Sequence, residues 1–192
     1  MTDSNARQRL AAILAADATG YSRLMQVDEQ STMQSLDAAR AVFRQQIEAH
    51  RGQVMNMVGD SVFAIFDTAS GAVEAAHAVQ TTINGEARTL PHDRQMRFRI
   101  GVHLGDVMVK SDGTVFGDGV NIASRLEALA EPGGITISDA VQGAVRGKVD
   151  LRFDDQGEQR VKNISHPVRA YRWVRSERDA LDSVLNHAAA AV

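Results

Sequence analysis

Two aspartates and one asparagine–arginine pair are the residues of this chain best placed to do chemistry. Asp17 closes an unbroken small-apolar run, Leu10 to Ala16, and Asp60 follows Gly59 between two short apolar segments. If both segments are strands of one sheet, the two carboxylates leave it at the same edge. Paired carboxylates with no basic partner expected nearby suit a hard divalent cation such as Mg²⁺ or Mn²⁺. Singly, each reads equally well as an ordinary turn aspartate, and it is their joint placement after strands that favours the cation. Ala18-Thr19-Gly20-Tyr21-Ser22 follows Asp17. Backbone N–H groups of such a turn can cradle phosphate oxygens, and Gly20 permits close approach. Asn121 and Arg125 are four residues apart and so share one face of a helix. The bland reading is a solvated face; the chemical one is a pair that holds a sugar hydroxyl and a charged phosphoryl group.

The elements that must position these residues follow from periodicity. Leu10 to Ala16 is short enough for a buried strand, and 18–22 for a turn. Apolar residues recur at threes and fours from about Asp28 to His50 (Met33, Leu36, Ala39, Val42, Phe43, Ile47), the mark of an amphipathic helix. Gln53–Val58 and Ser61–Phe66 form a hairpin with Asp60 at its tip, and a second helix covers Ala69–Ala87. A long strand spans Met96–Lys110, a helix Gly117–Ala130 and a short strand Ile135–Ile137, after which Ser138 caps a short helix. Closing strands are expected at Leu151–Asp155 and Val168–Val174. The order β-α-β-β-α-β, then helices and further strands, is that of the ferredoxin-like split βαβ: an α+β fold, antiparallel-rich, with helices on one face. The expected organisation is a flexible lead-in (1–9), one catalytic domain (10–175) and a helical tail or linker (176–192).

Composition narrows the class. A chain of 192 residues with 44% hydrophobic and 23% charged residues can bury one good core. The net charge of −3 offers no field for a polyanion, which argues against nucleic acid as a partner. The absence of cysteine excludes disulfides and thiolate chemistry. No apolar run approaches the roughly 20 residues of a membrane span, and Met1–Arg9 lacks a signal peptide's apolar stretch, so the cytoplasm is the expected compartment.

In series, these segments resemble the class III adenylyl/guanylyl cyclase catalytic domain. The matching stretches are Ala-Ala-Asp-Ala-Thr-Gly-Tyr-Ser (15–22), Val-Gly-Asp (58–60), Arg-Ile-Gly-Val-His-Leu-Gly-Asp-Val (99–107), Gly-Asp-Gly-Val-Asn-Ile-Ala-Ser-Arg-Leu-Glu (117–127) and Glu-Pro-Gly-Gly-Ile (131–135). The resemblance covers about residues 9–175, and its ordered series is far more specific than any one piece. It implies an adenylate cyclase, converting ATP to 3′,5′-cyclic AMP and pyrophosphate with two divalent cations, Mg²⁺ or Mn²⁺. Asp17 and Asp60 look like the metal-binding aspartates, with the Ala18 carbonyl as a further ligand. Asn121 looks like the residue that orients the ribose, Arg125 like the transition-state arginine, and Lys162 like the lysine on the terminal phosphates. Gly20, Tyr21 and Ser22 fall in the phosphate-cradling turn. Family members act as head-to-tail homodimers in which metal residues from one subunit meet Asn, Arg and Lys from the other. This chain carries both sets, and a fused regulatory domain is a common companion.

One position departs from the pattern. ATP-using members commonly carry Lys four residues before the second metal aspartate, where this chain has Asn56; the partner position, usually Asp and in one subclass Thr, is Thr114. Asparagine donates and accepts without charge, so it can bind adenine while discriminating less sharply. A guanine-specific member would more often show Glu at position 56. ATP is therefore the expected substrate, with relaxed base selection. The rival readings are a guanylyl cyclase and a catalytically weak or inactive pseudo-cyclase acting as a dimerising or nucleotide-sensing module. A diguanylate-type cyclase lacks support because its Gly-Gly-(Asp/Glu)-Glu-Phe signature is missing. Paired sheet aromatics of an RNA-binding module are missing too. A lone His103 on the long strand reads as structural rather than catalytic.

Overall fold

The computed structural model describes residues 6–160, 164 and 166–176. Its elements, in chain order, are β1 (Arg7–Ala18), α1 (Tyr21–Val27), α2 (Glu29–Ala49), β2 (Gly52–Val58), β3 (Ser61–Phe66), α3 (Ala69–Ala87), β4 (Phe98–Val109), β5 (Val115–Phe116), α4 (Asp118–Leu129), β6 (Ile135–Ser138), α5 (Asp139–Val145), β7 (Phe153–Gln159) and β8 (Val168–Trp173). The strands form one sheet ordered β2-β3-β1-β4-β6-β8-β7, with β5 added to β4. All pairings are antiparallel except β4–β6. This is the expected α+β, split-βαβ architecture with further C-terminal strands.

β1 explains why the first apolar run is continuous rather than alternating. It is paired on both edges, by β3 and β4, and covered on both faces. Ala12, Leu14, Ala16 and Ala18 face the main core with Phe43, Ile47, Val73 and Val79 of α2 and α3. Ala11, Ile13 and Ala15 face the opposite side, with Ile65, Val107 and Ala123 of α4. A strand buried on both faces has no position left for a polar side chain. The helices therefore lie on two faces of the sheet, not one: α2 and α3 cover one and α4 the other. The apolar stripe of α4 (Ala123, Leu126) requires a sheet partner, and the first face is already filled.

Three boundaries also differ from expectation. β1 reaches back to Arg7, paired with Val109, so part of the expected lead-in is strand. Tyr21–Val27, where the sequence pattern places the end of the 18–22 turn, is a helix of its own, separated from α2 by Asp28. Asp28 breaks the pattern by capping, its carboxylate accepting from Ser31 N–H at 3.0 Å. β7 starts at Phe153 and runs to Gln159 rather than spanning Leu151–Asp155. The caps at Thr68 and Ser138 form as their residue types demand. The helical expectation for 177–192 lies outside the described residues.

α4 rests on β4 through one glycine. A Cβ at Gly101 would lie 2.2 Å from both Ala123 O and Glu127 N, atoms of the helix backbone itself. A helix axis cannot yield as a side chain tip can, so the overpacking penalty applies in full, about 1–3 kcal/mol or more. Gly101→Ala is expected to lower the thermal midpoint by roughly 5–10 °C. An unchanged melt would show that α4 shifts freely on the sheet.

Candidate active site

The strand register brings the two aspartates to one edge. Ala16 of β1 lies opposite Val62 of β3, so Asp17, at the end of β1, neighbours the β2–β3 turn that carries Asp60. The turn is held from outside the sheet: Arg40 of α2 donates from Nη2 to Gly59 O at 2.5 Å and stays within 3.7 Å of Asp37.

Asp17 is not free of basic partners, contrary to expectation. Arg99 lies directly opposite it on β4 and grips the carboxylate with two bonds, Nε to Oδ1 at 2.9 Å and Nη2 to Oδ2 at 2.6 Å. The same Nη2 lies 3.4 Å from Glu127 Oε1 of α4. Asp17, Arg99 and Glu127 side chains are only 24%, 27% and 13% exposed, so bulk water screens this cluster weakly. Burial, and then the charge of Asp17, push the Glu127 carboxyl up to about 8, with Asp60 adding to the effect. The bond to Asp17 leads the influences that raise the Arg99 guanidinium above its ordinary value. Neither Arg99 nor Glu127 stood out in the sequence. The available signal was the charge of Arg99 between the buried Phe98 and Ile100 of a central strand.

The rest of α4 points elsewhere. Glu127 and Ala123 face the sheet, whereas Asn121 and Arg125, two residues earlier and so about 200° round the helix, are exposed. Asn56 is exposed on β2 and Thr114 on the β4–β5 turn. β3 and β1 lie between their strands, which separates β2 from β4 by about 14 Å. One chain thus unites Asp17 and Asp60 but keeps Asn121 and Arg125 turned away, and Asn56 apart from Thr114.

A bulge sets which face Asn56 occupies. Val54 pairs with Ala64, but the next pair is Asn56 with Phe63, leaving Met55 unpaired. Directly opposed residues share a face. Asn56 therefore joins Phe63 on the α4 side of the sheet, whereas simple alternation would have put it with Val54 in the main core.

The turn after Asp17 behaves partly as expected. Gly20 takes φ +68° as the N-cap of α1, a conformation that favours glycine, and accepts from Leu24 N–H at 3.0 Å. The Tyr21 ring packs against the main core, which leaves its backbone N–H as the group it can offer a ligand; Ser22 is exposed. Ala18 is buried at the end of β1. His103 donates or accepts at Ser138 Oγ, 2.9 Å away, and burial lowers its pKa to about 4. It is therefore neutral at pH 7 and links β4 to the end of β6, a structural role. Lys162 lies outside the described residues.

The donor set suits a cation shared with substrate rather than one caged by protein. Among the described residues no three His, Cys, Asp or Glu side chains are grouped to hold an ion alone. Asp17 and Asp60 supply hard oxygens, and the Arg99 guanidinium already stands as a cation on one of them. Two carboxylates, with waters and phosphate oxygens completing the shell, fit Mg²⁺.

Residues 5–174 match the family model described as the adenylate and guanylate cyclase catalytic domain. The chain belongs to this family. It is 48% identical over 179 residues to a Rhizobium meliloti protein named "Putative adenylate cyclase 3", covering 93% of this chain and 30% of that protein. An adenylate cyclase of Streptomyces coelicolor is 29% identical over 140 residues, covering 72% of this chain and 35% of that protein. The chain thus spans about a third of these curated relatives. The crystal structure of an adenylate/guanylate cyclase/hydrolase from Silicibacter pomeroyi superposes with a TM-score of 0.83 at 40% identity, covering 90% of this chain and all of that one. Among the described residues no helix is long and apolar enough to cross a membrane.

The raised Glu127 carboxyl makes stability depend on pH. The folded state holds this proton up to about pH 8, whereas an unfolded chain releases it near the ordinary 4.5. The folded state therefore binds more protons in that window, and stability falls as pH rises through it. Glu127→Gln is expected to flatten the fall in thermal midpoint between pH 5 and pH 9. Parallel curves for variant and parent would show that Glu127 titrates normally.

Proposed function

We propose that this chain is an adenylate cyclase that works as a head-to-tail homodimer, converting ATP to 3′,5′-cyclic AMP and pyrophosphate. The observation that carries this reading is the division of the site. Each chain bears a metal-type carboxylate pair and an Asn121–Arg125 pair, and its own fold turns the two apart. A second chain, facing the α4 side of the first, supplies the missing half, and two copies complete two sites. Partly buried Met55, Phe63, Val109 and Val115 on that face, with exposed Val58 and Phe116 nearby, give such a contact apolar area to cover.

Asp17 and Asp60 hold the cations, with the Ala18 carbonyl beside them. When bound, divalent cations would acidify the ribose 3′-hydroxyl and neutralise the triphosphate. The partner's Asn121 orients the ribose so that its 3′-oxygen lies in line with the α-phosphorus. The partner's Arg125 donates to the charge that grows on the α-phosphate and bridging oxygen, worth about 10²–10³ in rate for a preorganised donor. Gly20 and the N–H groups of Tyr21 and Ser22 cradle phosphate oxygens, and Lys162 holds the terminal phosphates. Asn56 and the partner's Thr114 read the base. Adenine is favoured by the 48% identical relative named "Putative adenylate cyclase 3", and the uncharged Asn56 points to relaxed selection.

Incubating the purified chain with ATP or GTP, each with Mg²⁺ or Mn²⁺, and resolving the products by chromatography tests the reaction. Cyclic AMP from ATP is expected as the main product; cyclic GMP as the main product would reverse the base assignment. No product from a folded dimer would leave a nucleotide-sensing pseudo-cyclase.

The shared site is tested by mixing. Asp17→Ala and Arg125→Ala chains should each be inactive alone. Random reassociation of equal amounts makes half the dimers mixed, each with one intact site of two, so about a quarter of parental activity should return. No recovery from demonstrably mixed dimers would refute the shared site.

A further inference from the structure

Arg99 occupies the carboxylate that the proposed cation needs. Its Nε and Nη2 are both committed to Asp17, at 2.9 and 2.6 Å. A cation arriving at Asp17 competes with these bonds for the two oxygens, and a guanidinium only 27% exposed cannot simply retreat into water. Leaving it unpaired beside a divalent cation would combine repulsion with the cost of an uncompensated, partly buried charge.

The helix above supplies a second carboxyl group within reach. We infer that Glu127 is a positioning residue for metal loading, accepting the Arg99 guanidinium when a divalent cation takes Asp17. The inference rests on the reading of Asp17 as a metal ligand. Nη2 is already 3.4 Å from Glu127 Oε1, so closing to a charged bond of about 2.8 Å takes a shift of about 0.6 Å. Nη1 lies 3.5 Å from Ala128 O, so the α4 backbone steadies the far side of the group during the exchange. Because α4 sits directly on Gly101, Glu127 is held over Arg99 by backbone packing rather than by its own side-chain choices. The guanidinium thus has two anchored positions, one that closes Asp17 and one that frees it.

Mg²⁺ binding to the nucleotide-free chain of 192 residues, followed by titration calorimetry, tests this. All variants are compared at one pH and one ionic strength. Glu127→Gln should weaken Mg²⁺ binding roughly tenfold, the scale of one charged hydrogen bond. Arg99→Gln alone should tighten it, since the competitor is gone. The decisive comparison is the cycle: with Arg99→Gln already present, Glu127→Gln should cost about twofold or less. An equal loss in both backgrounds would mean that Glu127 acts only as a nearby charge, and no loss in either would also overturn the relay. Asp17→Asn separates the underlying reading, because undiminished Mg²⁺ binding in that variant would remove Asp17 as a ligand altogether. If Glu127→Gln does not fold, Glu127→Asp enters the same cycle. Its shorter reach should give a loss of the same sign that likewise vanishes without Arg99.

Discussion

The contact between the α4 backbone and Gly101 is the constraint on which the site depends. It brings a helix axis against the central strands, which no residue with a Cβ would allow at that point. Once the axis is fixed, helical periodicity decides everything on it. Glu127 faces the sheet above Arg99, and Asn121 and Arg125 are turned to solvent. The same contact therefore closes one half of the chemistry inside the chain and exports the other. A looser α4 would blur both, because a rotation large enough to bring Arg125 inward would carry Glu127 out.

The carboxylate edge shows how a buried sheet creates a charge cluster. From Leu10 to Ala16 β1 carries no polar side chain, and at the edge beyond it Asp17 faces Arg99 across the β1–β4 pair. Both are shielded, so each needs the other. Glu127 then joins a site that already holds Asp17 and Asp60, and its carboxyl is pushed up to about 8, first by burial and then by the charge of Asp17.

Much of this was legible in the sequence, and the reasons divide cleanly. α3, β3 and the hairpin carrying Asp60 follow from local periodicity and turn chemistry, and the structure has them where that pattern puts them. Asp17 was visible because it ends an unbroken apolar run. The matching motif series identified the family, which the comparisons bear out. Arg99 was missed as a partner of Asp17 because the two are 82 residues apart and meet only through the β1–β4 register. The face covered by α4 was misjudged for a related reason: periodicity tells which stripe of a helix is buried, not against which side of a sheet.

Asn56 carries that lesson furthest. Period-two alternation puts positions 54 and 56 on one face, and Val54 belongs to the main core. Read strictly, the pattern would bury Asn56 and disqualify it from touching a base. The unpaired Met55 shifts the phase by one, so that Asn56 opposes Phe63 and emerges on the side where α4 and the carboxylates lie. Nothing in Gln-Val-Met-Asn-Met-Val announces a bulge, because neither glycine nor proline marks it. The exposure of position 56 is thus a property of how β2 pairs with β3, and the base-reading role proposed for Asn56 rests on a backbone irregularity as much as on the amide that the irregularity presents.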